Sequence, residues 1–110
     1  MKRILIMTDD FNEMTFLETL LKKIGFDTLG IQNANQAAEQ CMIMNPDMLL
    51  IAETMKGQST NQILENLMGY RPQMLVILMK KDPKSAGVHI AEFVNRTVRT
   101  PVDPLDLIRT

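Results

Sequence analysis

The chain has 110 residues, of which 45% are hydrophobic and 23% charged, and its twelve Lys and Arg against thirteen Asp and Glu give a formal net charge of -1. This is the composition of one globular domain large enough for its own core, and it excludes a disordered chain. The even charge balance offers no basic surface for nucleic acid or a membrane, and the lone Cys41 cannot form an internal disulfide, which fits a reducing, cytoplasmic setting.

Met1-Lys2-Arg3 has the charge of a signal-peptide start, but the apolar run Ile4 to Met7 ends at Thr8-Asp9, too soon for a signal core or a membrane span. We read Ile4 to Met7 as the first strand. Met14, Leu17, Leu21 and Ile24, with Phe16 and Leu20 beside them, then recur at helical spacing. Asp10 with Glu13 predicts a capping box, and Lys22, Lys23 and Gly25 predict the helix end. Thr28 to Ile31 is a second strand, weakened by Gly30. From Asn33 or Asn35 a helix is predicted through Ala37, Ala38, Cys41 and Met42. It stops before Asn45-Pro46, because a residue preceding proline avoids the helical region.

Met48 to Ala52 is the third strand, and its continuous apolar run marks it as central and buried on both faces. Ser59 with Gln62 predicts another capping box ahead of Ile63, Leu64, Leu67 and Met68, with Gly69-Tyr70-Arg71-Pro72 ending that helix. Met74 to Met79 is the fourth strand, Lys80 to Lys84 a charged loop, and Ala86 to Val94 a helix weakened by Gly87. Thr97 to Arg99 is a short edge strand, and Asp103-Pro104 starts a last helix. Through Thr110 that helix is short by about two turns against typical length, so we expect either a following domain or a stunted helix.

Strands alternating with helices imply one parallel sheet covered on both faces by helices. Right-handed crossovers and a switch point between the first and third strands give the flavodoxin-like order 2-1-3-4-5. In such sheets ligands bind at the carboxyl ends of the strands, where this chain places Ala52 and Glu53.

Several stretches stand in the order and spacing of a known family. They are Lys2-Arg3-Ile4-Leu5-Ile6-Met7-Thr8-Asp9-Asp10, Ile24-Gly25-Phe26, Pro46-Asp47, Met55, Gly57 and Thr100-Pro101-Val102-Asp103-Pro104. Over essentially its whole length the chain resembles the receiver domains of two-component response regulators, the CheY-like fold. The resemblance implies a phosphorelay signalling module, not an enzyme, with a set pocket. Two adjacent acids after the first strand hold Mg²⁺, and an Asp ending the third strand accepts a phosphoryl group. A Ser or Thr ending the fourth strand bonds it, an aromatic in the fifth strand swings with that hydroxyl, and a Lys after the fifth strand completes the clamp. Such chemistry needs a carboxylate nucleophile, a metal and cationic or hydroxyl partners.

Residue by residue, this chain departs from that pattern. Asp9 matches the second acid, with Asp10 beside it, while Thr8 replaces the first. Ala52 replaces the phosphoacceptor, Met79 the hydroxyl residue, Thr97 the aromatic and Thr100 the lysine. The resemblance therefore points to a pseudo-receiver that lacks the phosphoacceptor. Glu53 is next to Ala52, but successive strand residues face opposite ways, so its carboxylate is expected to turn away from the pocket. Lys80 and Lys81 could reach back towards Asp9 or Asp10 on flexible stems, or extend into solvent.

Asp9 and Asp10 could hold Mg²⁺ weakly, against a capping role for Asp10; no other cofactor is expected. Cys41 is read as a small buried hydrophobe rather than a reactive thiol, His89 as a non-catalytic histidine. The ten methionines, Met42, Met44, Met48, Met55, Met74 and Met79 among them, mostly fall in or next to expected core runs and are read as gap filling, with a Met-lined binding face as the second reading. The expected role is protein interaction within a signalling system, with a partner protein, an output domain or a second copy. The resemblance suggests the face of the fourth helix, fifth strand and fifth helix, where Leu105, Leu107 and Ile108 would be buried by the partner. The alternatives are a sensor binding a small ligand in the strand-end crevice and a receiver phosphorylated on a neighbouring acid.

Overall fold

The computed structural model describes residues 2–53, 60–70, 73–80 and 96–99. Five parallel strands, β1 (Arg3–Met7), β2 (Asp27–Ile31), β3 (Met48–Ala52), β4 (Leu75–Lys80) and β5 (Arg96–Arg99), form one sheet in the order β2-β1-β3-β4-β5. The fold is thus the expected flavodoxin-like, CheY-like arrangement. The strand expected at Thr97 to Arg99 does lie at the sheet edge, and the most apolar strand, β3, lies at its centre. Helices α1 (Phe11–Ile24), α2 (Ala37–Met44) and α3 (Thr60–Tyr70) complete the described elements, with a 3₁₀ turn at Ala34–Gln36 before α2. The helices expected over Ala86 to Val94 and from Asp103, and the Ser59 cap, lie outside the described residues.

Strand alternation divides the core in two. On one side Ile4, Ile6, Leu50, Ile77, Met79 and Val98 pack under Met14, Leu17 and Leu21 of α1. On the other, Leu5, Met7, Leu49, Ile51, Val76 and Leu78 meet Ala37 and Cys41 of α2 and Ile63, Leu64 and Leu67 of α3. Each buried strand thus has both its faces removed from water, which is why it reads as an unbroken apolar run. Cys41 is buried as expected.

The far end of α1 follows the expected chemistry, and at its start Asp10 is the cap while its own N–H goes to Thr8 Oγ1. Asp10 Oδ1 accepts the Glu13 N–H at 3.1 Å, and Gly25 closes the helix at φ 115°, its N–H directed to the Leu21 and Lys22 carbonyls. The end of α2 follows a different mechanism from the one expected. Asn45 adopts φ 54° and ψ 60°, a left-handed cap rather than the extended conformation that proline favours in its predecessor. Asparagine is the non-glycine residue that tolerates this region best.

Three other expectations need correction. Strand β4 includes Lys80, which was expected to open a loop. The methionines are not uniformly core: Met7, Met14, Met74 and Met79 are buried, but Met42 is 62% exposed, with Ile43 beside it at 69%. Helix α2 has only eight residues and buries one narrow face, through Ala37 and Cys41, so the next two apolar positions turn outward. Ile24 and Phe16, read as part of the helical apolar face, are also exposed.

Candidate functional site

The carboxyl ends of β1, β3 and β4 lie side by side, and the register fixes which residues meet there. Met7 pairs with Ile51, so Thr8 and Ala52 occupy the next positions along their strands. Ala52 pairs with Met79, and Met79 with Val98. Ala52 is half-buried and touches both core clusters, while Met79 is buried on the α1 side. The crevice thus carries a methyl group at the tip of its central strand and a thioether opposite it. Neither can attack phosphorus, and neither offers a strong donor to an oxyanion.

The acidic turn is arranged around the start of α1. Thr8 is buried; its N–H donates to the Ile31 carbonyl at 3.3 Å and its Oγ1 accepts the Asp10 N–H at 3.1 Å. With Asp10 Oδ1 engaged as the helix cap, the capping role expected of Asp10 is the one the structure displays. Asp9 is half-buried at the same turn. Among the described residues no group of three His, Cys, Asp or Glu side chains is placed to hold a metal ion. The donor set does not fit the magnesium site that the resemblance implies: Thr8 and Ala52 supply no carboxylate, and Asp10 is committed in part to the helix. Thr97 is exposed on β5, opposite Leu78. Thr100, Leu105, Leu107, Ile108 and Lys81 lie outside the described residues.

Glu53 and Lys80 are charged residues at the tips of β3 and β4. They follow the register partners Ala52 and Met79 by one residue, so both belong to the side of the sheet away from α1. Glu53 Oε2 lies 3.9 Å from Lys80 Nζ, with the two side chains only 14% and 19% exposed. At that burial their attraction is screened less than on an open surface, although their desolvation offsets part of the gain. The sequence left Lys80 either in solvent or reaching towards Asp9 or Asp10; the structure gives it Glu53 as a partner. The pairing follows from the register between β3 and β4, which sets the residues after Ala52 and Met79 side by side and which the sequence alone does not give.

Sequence reasoning also missed Thr60. Its buried hydroxyl lies 3.0 Å from the Ala52 carbonyl oxygen and 2.7 Å from that of Glu53, and donates to this pair. The Glu53 N–H donates to the Met79 carbonyl at 2.9 Å, extending the β3–β4 ladder by one rung.

No family model and no curated protein matches this chain by sequence. Solved structures do. A response regulator receiver domain protein from Clostridium thermocellum superposes with a TM-score of 0.86 at 21% identity, over 97% of this chain and 88% of its own. A CheY-like response regulator receiver domain from Methylobacillus flagellatus gives 0.86 at 16% identity, over 97% and 92%. The signal receiver domain of an HD domain-containing protein from Pseudomonas fluorescens Pf-5 gives 0.85 at 19%, over 98% and 82%. At these identities the likeness is one of fold. Among the described residues no helix is long and apolar enough to cross a membrane.

Proposed function

We propose that this chain is a pseudo-receiver: a receiver-type domain of a two-component signalling system that takes no phosphoryl group at the usual site and works by binding another protein. The observation that carries this reading is the pairing of Ala52 with Met79 at the tips of the central strands. Where phosphoryl transfer needs a carboxylate facing a hydroxyl, this crevice has only apolar groups. Glu53, the adjacent carboxylate, is on the other side of the sheet in contact with Lys80.

The interaction role draws support from α1. Phe16, Leu20 and Ile24 follow one another at four-residue steps, and Phe16 and Ile24 are exposed while Leu20 is half-buried. A contiguous apolar stripe of this kind on a helix suits contact with a partner protein. Leu105, Leu107 and Ile108 are the further residues we assign to the interaction surface. The fold neighbour from Pseudomonas fluorescens is the signal receiver domain of an HD domain-containing protein, so such a domain can share a chain with another.

Incubation with a small phosphodonor and Mg²⁺, followed by intact-mass measurement, tests the reading. The expected mass is that of the unmodified chain. A stoichiometric phosphoryl adduct, mapped to Asp9, Asp10 or Glu53, would make this a working phosphorelay component instead.

A further inference from the structure

The tips of β3 and β4 and the first residue of α3 are joined by three contacts of different chemistry. The Glu53 N–H donates to the Met79 carbonyl at 2.9 Å. The Thr60 hydroxyl, buried at the start of α3, is held by the Ala52 and Glu53 carbonyls. The Glu53 carboxylate and Lys80 ammonium approach to 3.9 Å in a largely buried setting. Glu53 takes part in all three, through its N–H, its C=O and its side chain. Opening the strand tips therefore requires losing a ladder hydrogen bond, a side-chain clasp and an ion pair together. The Glu53–Lys80 link is one of charge and not a hydrogen bond, since Glu53 Oε2 stands 3.9 Å from the ammonium, and it acts in a largely buried setting where screening is weak.

We propose that Glu53, Lys80 and Thr60 form a built-in lock that holds the ends of β3 and β4 and the start of α3 in one arrangement, so that the domain presents its binding surface constitutively. The lock rests on the pseudo-receiver reading for its functional meaning. Its charged side chains, Glu53 and Lys80, lie on the opposite side of the sheet from those of Ala52 and Met79, whose carbonyls it uses as acceptors. No ligand or modification is then required to order the strand tips. Regulation would come from the amount or location of the protein and its partner, not from a change of shape at this site.

Amide hydrogen exchange tests the lock without reference to phosphoryl transfer, so its failure and that of the pseudo-receiver reading are told apart. Thr60→Val and Lys80→Met are each expected to raise the exchange rate of the Glu53 amide about tenfold, with the amides of Leu50 and Ile77 unchanged. Glu53→Gln, which keeps the side-chain shape, should match Lys80→Met, and the double variant Glu53→Gln/Lys80→Met should add little to either, because both remove the same ion pair. Unchanged exchange at Glu53 in Thr60→Val and Lys80→Met would overturn the proposal. So would a uniform rise that includes Leu50 and Ile77, which would mean a global loss of stability rather than local opening. Relaxation dispersion should be flat at Ala52, Glu53, Met79 and Lys80 in the unaltered chain; millisecond exchange there would equally defeat the proposal.

Discussion

Leu50→Ala is expected to lower the free energy of unfolding by about 2–5 kcal/mol, read from the shift of the denaturant midpoint. Leu50 lies in the middle strand of the sheet, with Ile6 and Ile77 as its register partners on either side and α1 above it. It is fully buried. Neighbouring backbones in a sheet are fixed by their ladders, so they cannot collapse to fill the space left by the isobutyl group, and the cavity cost adds to the lost transfer energy. Leu29→Ala supplies the internal comparison. Leu29 lies on the edge strand β2 and is partly exposed, so its truncation should cost no more than about 1 kcal/mol. Equal losses at the two positions would mean that the sheet order is wrong.

Gly30→Val is expected to destabilise the fold by about 1–3 kcal/mol, although valine is the better strand former. A β-carbon at residue 30 would stand 2.5 Å from Met14 Cγ and 2.6 Å from Met14 Sδ, and would also meet the Glu18 carboxylate. The end of Glu18 can swing away, but Met14 is buried in the core beneath α1 and has little room to move. The substitution thus presses α1 off the edge of the sheet. Thermal melting of Gly30→Val beside Gly30→Ala should give a larger loss for the bulkier residue. A stabilised valine variant would show instead that strand propensity outweighs the close approach of the helix.

Gly30 also illustrates how sequence and structure divide the information. In the sequence it reads as a flaw in a strand; in the fold it is where the Met14 and Glu18 side chains of α1 fill the space a β-carbon would need. The strands themselves were legible because a parallel strand is buried on both faces and so appears as an apolar run with sharp ends, as Met48 to Ala52 does. Their order followed from the handedness of crossovers. Which helical residues turn outward was not legible. Periodicity marks a stripe of apolar residues, but the width that is covered depends on the neighbouring elements, and for Phe16, Ile24 and Met42 the cover falls short.

The site divides in the same way. The replacements at Ala52 and Met79 could be placed from the sequence, because each closes an apolar run, although β4 itself continues to Lys80. The Glu53–Lys80 contact and the Thr60 clasp could not, since they join residues far apart in the chain and depend on the register between strands. The extension of β4 to Lys80 matters most here. It converts a residue expected in a charged loop into one whose side chain is fixed on a known side of the sheet.

The central claim is that the crevice at the strand ends no longer responds to phosphoryl chemistry. Backbone amide spectra recorded before and after addition of a small phosphodonor with Mg²⁺ test this most directly, because they report the crevice whether or not an adduct survives isolation. The account predicts superimposable spectra at residues 51–53 and 78–80. Saturable shifts concentrated at those amides would contradict it.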